Sequence, residues 1–498
     1  MRTMTDYYKG LDRKERLWYG LALLIVLAGA ALRIIVWVQS RDFIIDESNI
    51  ARNLYEKDFS QLAGRLSYEQ YAPVLFMWIE KCFALLWGFS ESALTAYPLV
   101  TGIAALGVFF LVLKEFVSVK AAWYPLAFFA FAHFFVRYST ELKQYMPDAL
   151  ITLSLILLAL RTDILGKNRS RFILIWLVAG SLAVWSSMPS VFILTGVGAY
   201  YLWVCVQSGK WQRILLFVLP ASVALAQFLG YYMAVLRSDA HSDYLQNFHA
   251  DYFLVATPGN FKEWKHNWYL CSELVKLSVG YTLRSLVFNF PLLAWGALHL
   301  LRKMTAKGML VLVPLFLTMF AAAINEFSLI PRVALFTMPL FLVLIGVGLE
   351  RLLSVNKWVS AAGLLVGGVC VATFTGFSML WKPFVNEQIT WALQLMKDNN
   401  VPKEQLHLSN GSYPAYYYYT IIHPDNQRWE SLKGAVKEPW DADWRAISVA
   451  AQGKFGVVLT TIPETEGSKI RGELKEAARE VAAIHNPEAK CYAYVMEK

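Results

Sequence analysis

The most constraining feature of this chain is a recurring run of about twenty apolar residues, long enough as a helix to cross a hydrocarbon core of about 30 Å. In lipid every backbone polar group must find a partner within the segment, so such runs fold as helices. The first, Leu17–Val38, follows the basic residues Arg13, Lys14 and Arg16. It is too long for the apolar core of a signal peptide, and no small-residue cleavage site follows, so it reads as a retained span. Composition agrees: 57% of residues are hydrophobic and only 17% charged, which describes a polytopic membrane protein. Aromatics at 15%, with 18 Trp, suit belts at the membrane–water interface.

The net charge of +9 is unevenly spread. Val385–Lys498 contains 13 Lys+Arg and 15 Asp+Glu, so the rest of the chain carries +11. That excess sits between apolar runs, where it orients spans, and it implies no nucleic-acid partner. The five cysteines (Cys82, Cys205, Cys271, Cys370 and Cys491) form no paired spacing, so no metal or redox motif follows.

Loop charges set the topology. With a basic N-terminal flank, the first span runs from inside to outside. Tyr71–Gly88 is apolar but holds Pro73, Glu80 and Lys81, and reads as an interfacial helix; a true span is the alternative. If it does not cross, Lys114–Lys120, Arg161–Arg171, Lys210–Arg213, Arg302–Lys307 and Arg351–Lys357 all fall inside, in accord with the positive-inside rule. Spans are then expected near 94–113, 121–136, 148–162, 172–187, 190–206, 214–236, 277–301, 309–324, 333–350 and 358–380, about eleven with the first. The outer loops are the one after the first span, then Arg137–Pro147, Arg237 to about Lys276, and Asn325–Arg332. The histidines of the third, His241, His249 and His266, lack ligand-like spacing and read as ordinary loop residues.

Beyond Trp381 the pattern changes. A helix over Val385–Asn400, strands over Gln405–Leu408, Phe455–Thr460 and Cys491–Met496, and a charged helix over Glu464–Ala483 describe a small soluble α/β domain. The division is therefore 1–384 in the membrane and 385–498 outside it. Pro414–Tyr419 reads as a packed helix start or a membrane-facing patch.

Chemistry concentrates in the outer loops. Asp46 and Glu47 lie just beyond the first span, and acids beside hydrocarbon are costly unless used. Asp46 suits a helix N-cap or first turn, followed by Ile50, Leu54 and Phe59 at the spacing of an amphipathic interfacial helix. The second loop gathers Arg137, Glu141, Lys143 and Tyr145, with Asp148 opening the next span. A solvated turn is the bland alternative. Lys143 or Arg137 is expected to pair with Asp148. Arg332, after Pro331, heads a late span; it suits a lipid phosphate through its fork of donors, or snorkels to the interface. Outer carboxylates, outer cations and a lipid-facing scaffold suit glycosyl transfer from a polyprenyl-phosphate sugar. Cations stabilise the departing phosphate, and a carboxylate takes the acceptor proton.

This order of features resembles the GT-C superfamily of integral-membrane glycosyltransferases, in particular bacterial relatives of protein O-mannosyltransferases and of the lipid A aminoarabinose transferase. The resemblance rests on Asp46-Glu47 opening an interfacial helix, a second helix with Pro73 and Leu85-Leu86-Trp87-Gly88, Glu141-x-Lys143-x-Tyr145-x-x-Asp148, and Arg332 with Pro339. It covers roughly residues 15–350. It implies a GT-C fold with two interfacial helices in the first outer loop and a C-terminal soluble α/β domain. It implies a transferase of the inner (plasma) membrane, with a cytoplasmic N-terminus and an extracytoplasmic C-terminal domain; a single displacement would make it inverting, by analogy with inverting glycosidases. Its partners are the bilayer, a polyprenyl-phosphate-linked sugar and an extracytoplasmic glycolipid, polysaccharide or protein. Asp46, Glu47 and Asp148 map to the catalytic acids, and Arg137, Glu141, Lys143, Tyr145 and Arg332 to substrate binding. Some relatives hold a divalent metal ion at the acids and others hold none; here it would sit on Asp46 and Asp148. One departure stands out: where the aminoarabinose transferase has a Lys before the proline of the second helix, this chain has Ala72, preceded by Tyr71. The rival readings are a transporter or lipid flippase, and a non-catalytic assembly protein acting through its C-terminal domain.

Overall fold

A computed structural model describes residues 12–237, 243–280, 283–372, 379–380 and 384–498. His241, part of the expected 277–301 and 358–380 spans, and Trp381 lie outside them. The chain forms two compact units.

The first unit gathers Met1–Val36, Tyr71–Phe76 and Pro98–Leu380. Among the described residues, seven helices are long and apolar enough to cross a membrane, from Arg13–Val38 to Leu335–Leu353. Val119–Phe131 and Lys357–Ala372 are apolar but shorter. Most expected spans coincide with a helix, although the third outer loop is largely helical too, through Asp243–His249 and Phe261–Val279. The central helix is Met338–Leu353, buried over nearly its whole length. It meets Leu283–Lys303 at a glycine crossing. A Cβ on Gly296 would lie 1.9 Å from the Leu344 carbonyl oxygen, and one on Gly348 2.0 Å from that of Leu292. Without side chains there the backbones approach directly, as small residues allow in lipid.

The expected 121–136 span is broken. Val119–Phe131 ends at Ala132, whose ψ of 126° is extended, and His133–Tyr138 restarts the helix. A break inside an apolar core strands carbonyls that water would otherwise satisfy. Arg33, fully buried in the first span, takes them up. Its guanidinium donates to the carbonyls of Ala130 (2.7 Å), Phe129 (2.9 Å) and Gly29 (3.0 Å), and to the Ser139 hydroxyl (3.0 Å).

The second unit gathers Trp37–Gln70, Met77–Tyr97 and Trp381–Lys498. Its sheet has strands β1 (Leu406–Leu408), β2 (Val436–Lys437), β3 (Lys454–Thr460), β4 (Arg479–Asn486) and β5 (Cys491–Glu497). Their order is β2-β1-β3-β5-β4, parallel across β2, β1 and β3 and antiparallel from β3 onward. Phe455, Val457 and Leu459 of β3 and Tyr492, Tyr494 and Met496 of β5 share one core with Trp444, Ile470 and Leu474. The opposite side of β3 meets Met396 of the Ile389–Asp398 helix at Gly456. With both faces covered, β3 reads as a continuous apolar run. The expected Glu464–Ala483 helix stops at Lys475, and its last residues begin β4. Pro414–Tyr419 is a packed helix start, with Tyr416, Tyr418 and Tyr419 buried.

In the first loop, Ile45–Glu56 is a helix with Asp46 and Glu47 in its first turn. Glu47 through Leu54 are all buried. The expected surface-lying amphipathic helix is thus corrected: protein covers it nearly all round. Phe59 falls in the separate short helix Phe59–Leu62. Val74–Trp87 has 14 residues, about 21 Å at helical rise and short of a hydrocarbon core.

Candidate active site

In the first unit a cavity of about 220 Å³ opens beside the second loop. Gln144, Tyr145 and Asp148 line one wall, from the start of the Tyr145–Arg161 helix. Met188 and Pro189 contribute from the break between two apolar helices, Phe192 from the start of the second, His249 from the end of Asp243–His249, and Phe253 and Glu326 from later loops. Tyr71, the residue two before Pro73, also lines it. The walls are largely aromatic and apolar, with few polar groups, the usual make-up of a small-ligand site.

Asp148 is 4% exposed, and its Oδ1 has no hydrogen-bond partner. Among the described residues it makes no ion pair. The expected pairing with Arg137 or Lys143 is therefore corrected. Arg137 instead pairs at 2.5 Å with Glu141, four residues on in the turn that follows His133–Tyr138, and Glu141 is itself buried. A pair close in sequence forms with little loss of chain freedom, so it wins over a more distant acid. Lys143 is buried as well, so this loop is not the solvated turn of the bland reading. A buried polar atom without a partner is costly, and a bound ligand is one thing that satisfies it.

Arg332 precedes the lining residue Val333. Its guanidinium stands 6.0 Å from the Phe248 ring. Burial first, and then the Arg332 charge, push the lining residue His249 down to about 4, so its imidazole is neutral at pH 7. His249, Glu326 and Tyr71 were not legible as site residues; position in the fold alone joins them to Asp148.

The second unit holds the Asp46–Glu47 pair, and the two acids differ. Glu47 is fully buried and clamped. Arg41 donates to its two oxygens at 2.7 and 2.9 Å, and the Ile44 amide donates at 3.2 Å. Asp46 is half-buried, and the Gln70 amide approaches its Oδ1 at 3.5 Å. Asp46 sits in the first turn of Ile45–Glu56. Around them the Phe43 amide donates to the Tyr419 hydroxyl (3.2 Å), and Tyr418 donates to the Phe89 carbonyl (2.6 Å). Arg52 lies between the Tyr68 and Tyr417 rings, 3.7 and 4.5 Å from their centres.

Two further carboxyls, neither singled out in the sequence, are buried here. Asp42 accepts from the Thr390 amide (2.7 Å) and hydroxyl (3.1 Å). Glu387 accepts from the Ile45 amide at 2.8 Å. Burial pushes Asp42 up to about 6 and Glu387 up to about 7. Among the described residues no group of three or more His, Cys, Asp or Glu side chains comes together as a metal ion would require.

No family model matches the sequence, and no curated protein sequence matches it. Solved structures do match in fold. ArnT from Cupriavidus metallidurans bound to undecaprenyl phosphate superposes with a TM-score of 0.51 at 12% identity, over 96% of this chain and 97% of that one. Its apo form gives 0.52 at 14% identity. The Archaeoglobus fulgidus oligosaccharyltransferase tethered with an acceptor peptide gives 0.53 at 12% identity, over 82% of this chain and 63% of that one. Both are GT-C enzymes. This chain has the GT-C fold. The fold implied by the sequence resemblance is borne out over nearly the whole chain, in a multi-pass membrane protein.

Proposed function

We propose that this chain is an inverting glycosyltransferase that moves a sugar from a polyprenyl-phosphate donor to an extracytoplasmic acceptor: a glycolipid, a polysaccharide or a protein. It works in the inner membrane with its C-terminal domain outside. The observation that carries the reading is the buried Asp148 carboxylate, with one oxygen unsatisfied, on an aromatic-walled cavity. Sugar hydroxyls would satisfy that oxygen, and the rings would cover the sugar's apolar faces. Arg332 holds the lipid phosphate through its fork of donors. Arg137, paired with Glu141, and Lys143 and Tyr145 fix the wall. The fold supports the same reading, since the compared ArnT structure holds undecaprenyl phosphate and the oligosaccharyltransferase holds an acceptor peptide.

The acceptor oxygen attacks the anomeric carbon, and the bond from that carbon to the phosphate oxygen breaks. The phosphate leaves with the electron pair, and the acceptor proton passes to a carboxylate. One displacement inverts the centre. Asp46 is that base. Glu47 cannot serve, because Arg41 occupies both its oxygens.

The test is single-turnover transfer from undecaprenyl-phosphate [14C]hexose, with full-length protein in nanodiscs and envelope extract as acceptor source. One labelled product should form per undecaprenyl phosphate released. Asp46→Asn should slow transfer by about 10²–10⁴-fold and leave undecaprenyl-phosphate binding nearly intact. If Asp46→Asn turns over normally while Asp148→Asn is dead, Asp148 is the base. Label that crosses the membrane without changing its covalent partner would mean a flippase.

A further inference from the structure

Glu387 stands apart in the second unit. Its φ of +54° lies in the left-handed region, where an ordinary side chain is strained and glycine is not. Its side chain is only 6% exposed. Its carboxylate accepts from the amide of Ile45, the first residue of the helix that carries Asp46. A plain turn would place Gly or Asn here, and a plain core would place an apolar residue. A strained, buried residue that is neither glycine nor apolar points to function.

The contact is returned. Asp42, just ahead of the first-loop helix, accepts from the amide and hydroxyl of Thr390 in the first turn of Ile389–Asp398. The Gln388 amide, turned with its nitrogen inward, lies 3.3 Å from both Asp42 oxygens. Each segment therefore holds the start of the other's helix, across some 340 residues of chain. First-turn amides have no acceptor within their own helix. Supplying one fixes where the helix begins and how its first turn is rotated, and so the direction of each first-turn side chain.

We propose that Glu387 is a positioning residue: it holds the first turn of Ile45–Glu56 so that Asp46 points at the acceptor hydroxyl. This rests on the reading of Asp46 as the base. It gives the C-terminal segment a part in the reaction without contributing a reacting group. Glu47 and Ile44 flank the same turn and are held by Arg41 and by the Glu47 carboxylate. With Glu387 in place, the turn is fixed from a second side.

The experiment compares Glu387→Gly, Glu387→Gln and Asp46→Asn in full-length protein in nanodiscs. Glu387→Gly removes the acceptor and also relieves the left-handed strain, so lost activity cannot be put down to a less stable backbone. Glu387→Gln keeps an acceptor oxygen in place. Hydrogen exchange of peptides spanning residues 43–50 reads the clasp independently of chemistry. Transfer from undecaprenyl-phosphate [14C]hexose gives kcat, and undecaprenyl-phosphate titration gives binding. Glu387→Gly should speed exchange of the first-turn amides at least tenfold and lower kcat by about 10²-fold, the order expected for a displacement of about 1 Å. Lipid binding should not change, and Glu387→Gln should recover most of both losses. Unchanged exchange in Glu387→Gly, or faster exchange with wild-type kcat, overturns the proposal. Full activity of Asp46→Asn with faster exchange in Glu387→Gly also overturns it, and places the fault in the assignment of the base rather than in the clasp.

Discussion

Acidification from pH 7.5 to 5.5 should stabilise the second unit through Asp42 and Glu387. Burial, the largest cause in each case, pushes Asp42 up to about 6 and Glu387 up to about 7. Both folded values lie above the ordinary carboxyl range near 4. Between about pH 4 and 7 the folded state therefore binds more protons than the unfolded chain, and stability falls as pH rises through that window. The stabilisation is complete below the ordinary carboxyl range and gone above about pH 7. At about 1.4 kcal/mol per unit, Glu387 contributes roughly 2 kcal/mol between pH 7.5 and 5.5 and Asp42 roughly 1 kcal/mol. His249 runs the other way. Its folded value is depressed to about 4, so the unfolded chain protonates first and acid costs stability through that residue. The comparison must therefore be differential. Thermal unfolding of full-length wild type and of the Asp42→Asn/Glu387→Gln double variant is followed at both pH values. The wild type should gain about 2–3 kcal/mol over the variant on acidification. Equal pH dependence in the two proteins, or a wild type that loses ground in acid, would refute the reasoning.

Three further outcomes are expected. Arg332→Ala should weaken undecaprenyl-phosphate binding about 10–100-fold, the worth of charged hydrogen bonds, and Arg332→Lys should restore it only in part, for want of the fork; unchanged binding in the Ala variant would leave Arg332 a snorkelling anchor. Glu80 is fully buried, and neither carboxyl oxygen has a partner; its burial favours the neutral form, so Glu80→Met should raise the unfolding midpoint by the equivalent of about 1–3 kcal/mol, and a lowered midpoint would reveal a role for the acid. Reporters fused after Asn53 and after Gly88 should label from the same side of the membrane; opposite sides would make Val74–Trp87 a true span.

What the sequence disclosed follows from how strongly each residue's setting limits the choices. Lipid forbids unpaired backbone, so most of the apolar runs specified a helix, with ends shifted by a few residues. The same rule explains the break at Ala132. Arg33 in the first span was the sign that some backbone nearby lacks partners, but its acceptors at Phe129 and Ala130 lie some 96 residues away. In the C-terminal segment β3 was legible because both its faces are covered. Arg479–Asn486 was not, because its residues alternate between exposed and half-buried. An edge strand dressed in charge carries on the polar pattern of the helix before it.

The site divides along the same line. Arg137 and Glu141 stand four residues apart, but the helix ends at Tyr138, so their pairing depends on the turn that follows it. Taking it into account frees Asp148 from the role of a salt-bridge partner. A buried carboxyl oxygen without a partner is satisfied by any group that donates a hydrogen bond, as the proposed sugar hydroxyls do. The Asp46–Glu47 pair was visible, but two adjacent acids look alike until their partners are known. Arg41 selects Glu47 through a bidentate clamp, and by occupying it leaves Asp46 the more accessible of the two. Glu387 left no local signal, because its partner lies 342 residues away. A residue that works only by holding another is written in the fold alone, and its left-handed backbone is the trace of that constraint.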